Sequence, residues 1–116
     1  MNLTWAIASW TVPPAQAKDV QRLVAKAWDL WAEAVPALRP QQIAEPVDAW
    51  CSLGFAPLPL WPGRIAQQSM REERRPLIEF DPREAWRYRW WQRLFQLKAV
   101  DFLPLALHEI GHALGL

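Results

Sequence analysis

VDFLPLALHEIGHALGL, residues 100–116, is the stretch on which the reading of this chain turns. Asp101 is placed to cap the first amides of a helix, and Pro104 still falls within the first turn, where a missing N–H costs nothing. The segment therefore predicts a helix over about residues 101–115. Its C-terminal part contains H-E-x-x-H. At about 3.6 residues per turn, His108 and His112 lie one turn apart on the same face, near enough for both imidazoles to reach one ion. Neutral imidazole suits zinc. Glu109 is rotated off the ligand line yet stays beside it, where a carboxylate can take a proton from water and later return it to a leaving amine. His108 and His112 are also the chain's only histidines. The competing reading is a helix that carries a solvent-facing His-Glu-His without metal.

Working outward to the start of the chain, Leu3, Trp5, Ile7 and Ser9 alternate with Thr4, Ala6, Ala8 and Trp10, up to Pro13-Pro14. This predicts a strand over residues 3–12. A signal peptide is the rival, because Ala15-Gln16-Ala17 looks like a small-residue cleavage site, but no basic residue precedes the apolar stretch. Val20, Leu23, Val24, Ala27, Trp28, Trp31, Ala34 and Val35 then keep the spacing of a helical stripe, with Lys18, Asp19, Arg22, Lys26, Asp29 and Glu33 mostly opposite. Pro36 ends that helix. From Leu38 to Asp81, prolines leave room only for short extended segments at 38–44, 48–55, 64–69 and 76–81, with Pro57–Gly63 as a surface loop. A strand, a long helix, several strands and a terminal helix suit an α+β fold with a mixed sheet packed on helices.

The wider context of the motif adds a resemblance. HEIGHALGL, preceded by VDFLPLAL, resembles the matrixin branch of the metzincin zinc peptidases, whose motif is H-E-x-G-H-x-x-G-x-x-H. Gly115 matches the glycine at which that family's helix stops. LTWAIASW looks like the first strand of a matrixin domain, DVQRLVAKAWDLWAEAVP like its first helix, and LIEFDPREAW like the strand and turn before the active-site helix. The resemblance implies a metzincin-like twisted mixed sheet on two long helices, and a zinc-dependent endopeptidase. His108 and His112 would be zinc ligands, Glu109 the general base, and an extended peptide or protein the substrate. That peptide would add along a sheet edge above the active-site helix, at residues 52–59 or 64–68. Matrixins are usually secreted, which implies an extracellular setting.

The chain also departs from the pattern. The family's third histidine would stand two positions beyond Leu116, and the methionine turn that follows it is missing; Met70 precedes the motif and does not replace it. Residues 1–116 therefore read as a single matrixin-like domain that lacks its C-terminal subdomain, either as a fragment or as a natural two-histidine protein. No further histidines are present for a structural zinc. Asp81 and Glu84 match the spacing of carboxylates that hold structural calcium in the family, whereas Asp81-Pro82-Arg83-Glu84 also reads as a helix capping box.

Composition bounds the remaining readings. The chain has 116 residues, 52% of them hydrophobic, enough for one folded domain and too apolar for a disordered chain. Thirteen Lys and Arg against twelve Asp and Glu give a net charge of +1, so no global field calls for a polyanion and no nucleic-acid partner is expected. The lone Cys51 excludes an internal disulfide and a multi-cysteine zinc module, and reads as a small buried residue. No apolar run approaches the roughly 18 residues of a membrane span. In residues 83–98 basic and aromatic side chains interleave. Trp86, Trp90, Leu94 and Leu97 suit a helical stripe packed on the domain, while the Trp86–Phe95 stretch also suits a noncatalytic module that contacts anionic surfaces.

Overall fold

In the computed structural model, residues 2–59, 63–94 and 96–116 are described. Alternation places Leu3 and Trp5 on one face of β1 (Asn2–Ile7), and both are buried. The strand ends before residue 12 because the Thr11 hydroxyl closes a turn: it donates to the Ala8 carbonyl at 2.6 Å and accepts the Phe55 N–H at 3.0 Å. That turn sits against β3 (Cys51–Phe55) at Gly54, where an added Cβ would lie 2.8 Å from Thr11 Oγ1. Leu3, Trp5 and Ala6 are buried inside the sheet, so β1 is a packed strand of this fold.

α1 (Ala17–Ala34) buries Val20, Leu23, Val24, Ala27 and Trp28 of the predicted stripe, leaves Trp31 and Val35 half-buried and Ala34 exposed at its C-terminal end, and stops ahead of Pro36 as expected. Trp28 stacks on Trp5 with ring centroids 6.0 Å apart, which joins the helix to β1. The remaining strands are β2 (Arg39–Gln42), β4 (Ala66–Met70) and β5 (Pro76–Phe80). The sheet order is β2-β1-β3-β5-β4, parallel throughout except for β4, which runs antiparallel to β5. This is the expected α+β architecture of a mixed sheet with two helices. Trp5, Leu53, Phe55, Ile78 and Phe80 join the buried faces of both helices in one core cluster.

The topology separates the two candidate peptide-binding edges. β3 pairs with β1 on one side and β5 on the other and is buried along its whole length, so residues 52–55 offer no free edge. β4 is an edge, overlaps the 64–68 candidate, and is the edge strand that packs against the second helix.

Residues 83–98 do not form the predicted amphipathic helix. Trp86 lies in a short strand, β6 (Trp86–Arg87), paired with β7 (Val100–Asp101), and a 3-10 turn covers Trp90–Leu94. Trp86 is 5% exposed, whereas Leu94 and Leu97 are 70% and 81% exposed, so the apolar residues at helical spacing do not share a buried stripe. A single side chain diverts the backbone: Gln92 Oε1 accepts the N–H groups of both Tyr88 and Arg89, at 2.7 and 3.1 Å. Phe95, and residues 60–62 of the expected surface loop, lie outside the described residues. Leu58 in that loop is buried rather than on the surface.

α2 (Phe102–Ala113) carries the motif. Asp101 stands at its N-cap, but no side-chain cap is made; its carboxylate instead accepts from Arg87 Nε at 2.9 Å. Phe102 opens the helix among Phe55, Phe80, Trp86 and Tyr88, with centroids 4.7–6.1 Å away. At the other end, Gly115 adopts φ +82° and donates to the His112 carbonyl at 3.0 Å, while the Leu116 N–H reaches the Gly111 carbonyl at 2.9 Å. This is a Schellman stop, as expected of Gly115.

Between these ends, the Trp31 indole N–H donates to the Leu107 carbonyl at 3.0 Å and its ring lies against Gly111. A Cβ at Gly111 would meet Trp31 Cζ2 at 2.9 Å. Gly111→Ala should therefore lower stability: about 1–3 kcal/mol of overpacking exceeds the roughly 1 kcal/mol gained in helix propensity. In a Trp31→Phe background the alanine penalty should vanish. Denaturant midpoints of the four proteins in this cycle check the coupling, and an equal alanine penalty in both backgrounds would show that the indole is not the obstacle.

Candidate metal centre

The turn spacing of His108 and His112 becomes convergence in the folded helix. Their Nε2 atoms lie 2.9 Å apart, with the rings nearly perpendicular at 86° and both residues exposed. Without metal this distance is a hydrogen bond in which one neutral ring donates and the other accepts. A tetrahedral zinc with Zn–N bonds of about 2.0–2.1 Å holds two such nitrogens about 3.3 Å apart. The observed spacing thus fits a shared cation after an opening of a few tenths of an ångström and a tautomer change on the donor ring. Among the described residues no third His, Cys, Asp or Glu joins the pair.

Glu109 is 7% exposed and makes no hydrogen bond or ion pair among the described residues. A carboxylate next in sequence to the first imidazole, on a mostly buried residue and uncommitted to a partner among the described residues, retains its lone pairs for proton transfer. Gly111, between the two histidines' turns, is the residue that admits Trp31. Sequence reasoning placed Trp31 only as a packing anchor and missed its hydrogen bond to the helix backbone. The available signal was a glycine inside a helix, which lowers helix stability and calls for a packing reason.

Asp81 and Glu84 do not assemble a calcium cage. Asp81 is fully buried, and its carboxylate accepts the Arg83 guanidinium at 2.7 and 3.0 Å, the Arg83 N–H at 2.8 Å and the Leu58 N–H at 2.9 Å. Arg83 also donates to the Leu58 carbonyl at 2.8 Å. The guanidinium therefore occupies the carboxylate oxygens a cation would need. The capping-box alternative fails as well, because residues 82–83 form a turn rather than the start of a helix; Asp81 bonding the amide two residues on makes it an Asx turn. Hydrogen bonding from Arg83 holds the Asp81 carboxyl well below the usual carboxylate range despite its burial.

Cys51 lies buried in β3, and burial pushes its thiol up to about 12 against the pull of Arg71, so it is a neutral packing residue.

The chain matches no protein-family model. It is 30% identical to matrix metalloproteinase-C of Caenorhabditis elegans over an alignment of 123 residues that covers 99% of this chain and 21% of that protein. The chain thus spans about a fifth of the length of that relative. The alignment runs along nearly the whole chain.

The Asp81 pair sets an acid dependence. A carboxyl depressed in the folded state adds stability that is complete above its ordinary unfolded value of about 3.9 and is lost as pH falls below it. The thermal midpoint should therefore drop on acidification through that window. Arg83→Gln should lower the midpoint by several degrees at neutral pH and flatten the acid limb; an unchanged acid limb would show that Arg83 does not hold the carboxyl down.

Proposed function

We propose that this chain carries the active-site helix of a zinc-dependent endopeptidase, with His108 and His112 as zinc ligands and Glu109 as general base. The observation that carries this reading is the 2.9 Å convergence of the Nε2 atoms of two exposed histidines, with an uncommitted carboxylate at the next position in the helix. The resemblance to a matrix metalloproteinase over nearly the whole chain supports it. Among the described residues the pair has no third His, Cys, Asp or Glu beside it.

Zinc, when bound, lowers the pKa of water and withdraws charge from a carbonyl oxygen. Glu109 takes the proton from the attacking water and passes it to the leaving amine nitrogen, so that one carboxylate serves first as base and then as acid. The fixed helix geometry holds the base within one residue of a ligand, so little reorganisation is needed between the two transfers.

The substrate is an extended peptide added to β4. Its antiparallel edge has unpaired main-chain groups on the side away from β5, and it is the edge that touches α2. Main-chain hydrogen bonds along such an edge supply affinity without demanding a particular sequence. An extracellular setting accords with the relative's name.

Glu109→Gln tests the assignment. It should reduce kcat/KM toward a quenched peptide by about 10²–10⁴-fold while leaving zinc stoichiometry intact. His108→Ala should lose both. Retained hydrolysis in the Glu109→Gln protein would remove the general-base role. Zinc bound no more tightly than by a surface histidine pair, without hydrolysis in the parent protein, would favour a noncatalytic module.

A further inference from the structure

A cavity of about 530 Å³ opens between α1, the 87–91 segment and the first turn of α2, away from the His108–His112 pair. Among the described residues four cations line it: Arg22 and Lys26 from α1, and Arg87 and Arg89 from the segment before α2. Two carboxylates answer them. Asp19 Oδ1 is shared by Arg22 at 3.2 Å and Arg89 at 3.1 Å, and Asp101 accepts from Arg87 at 2.9 Å. Counted over these described residues, the cleft therefore carries four cations against two carboxylates, within a chain whose net charge is only +1. Such local clustering is not a by-product of overall basicity, and it raises the local attraction for an anion.

The guanidiniums are oriented but far from saturated. Arg22 is tied to Asp19 and to the Tyr88 carbonyl, and Arg87 to Asp101 and the Gln96 carbonyl, while Arg89 makes the single ion pair with Asp19. Each guanidinium has five N–H donors, so most remain available. Lys26 is exposed and makes no hydrogen bond or ion pair among the described residues. Tyr88 and the 44%-exposed Trp91 add aromatic surface to the same wall. The volume falls in the range of small-ligand sites, roughly 300–1,000 Å³.

We propose that this cleft binds a sugar-sized ligand carrying two oxyanion groups, sulfate or phosphate, on a ring body. The guanidiniums and Lys26 take the oxyanions through charge-assisted hydrogen bonds, and the Trp91 face packs on the ring. The site is distinct from the histidine pair: Pro104, in the cleft wall, precedes His108 by about one helical turn, roughly 6 Å along the axis. A ligand there bears on the N-terminal turn of α2 and adds to the forces that seat it.

Calorimetric titration of the full chain with a disulfated heparin disaccharide, fructose 1,6-bisphosphate and inorganic phosphate tests the proposal. One saturable site should appear for at least one of the two ring ligands, with inorganic phosphate binding at least tenfold more weakly; the tighter ring ligand identifies the source as sulfated or phosphorylated. Lys26→Gln and Arg89→Gln should each weaken binding by about tenfold, and Arg39→Gln, on β2 outside the cleft, should leave it unchanged. Thermal midpoints establish that the variants are folded, and Lys26→Gln removes no internal contact. No saturable binding of either ring ligand, phosphate binding as tight as theirs, or equal weakening by Arg39→Gln would each overturn the site.

Discussion

The rotational setting of α2 is the constraint on which the site depends. A helix that carries two ligands and a base on neighbouring positions is useful only if one face is held outward and the adjacent one is shielded. Phe102 fixes the helix start by entering an aromatic cluster drawn from β3, β5, β6 and the residue after β6. Trp31 fixes its middle, with a hydrogen bond to Leu107 and ring contact at Gly111. Rotation of α2 would break both restraints together. With them in place, Ala106, Ile110 and Ala113 face the core while His108 and His112 stay exposed and Glu109 is mostly covered.

Charge in the fold is managed by the same economy of space. The buried Asp81 sits where the chain leaves β5, and its carboxylate joins two otherwise separate segments: the Leu58 amide on one side and the Arg83 turn on the other. Its carbonyl also accepts the Trp86 indole N–H at 2.9 Å, which carries the chain from that turn into the aromatic cluster around Phe102. An internal guanidinium thus does the work that a bound cation would do, neutralising a buried carboxylate and tying down a loop. A chain-borne charge cannot diffuse away, so this connection needs no bound ion.

Much of this was legible in the residues because short-range rules were in force. Proline spacing bounded β2, β3, β4 and β5 to within a few residues, the apolar stripe gave α1 its buried face, and Gly115 marked the stop of α2. The His108–His112 convergence followed from helical pitch alone. What escaped was set by contacts distant in sequence or by single side chains. Nothing in the local pattern of residues 52–55 reveals that both neighbouring strands pair with them, since edge or centre is a property of the whole sheet. The apolar spacing of Trp86, Leu94 and Leu97 is helical, yet Gln92 captures two amides and Phe80 and Phe102 draw Trp86 inward, so tertiary packing overrode the period. Asp81 fits both a calcium ligand and a helix cap by spacing, because a carboxylate is ambiguous until its partner is known, and the partner is Arg83, two residues away.

The central claim is that α2 offers His108 and His112 as a convergent pair to one cation. Long-range ¹⁵N–¹H correlation spectra of the two imidazoles during zinc titration test this most directly, because each ring nitrogen reports its own ligation. The account predicts that the Nε2 resonances of His108 and His112 shift together at the same zinc equivalence, with Nδ1 carrying the proton on both rings. Independent titration of the two rings, or ligation through Nδ1, would contradict it.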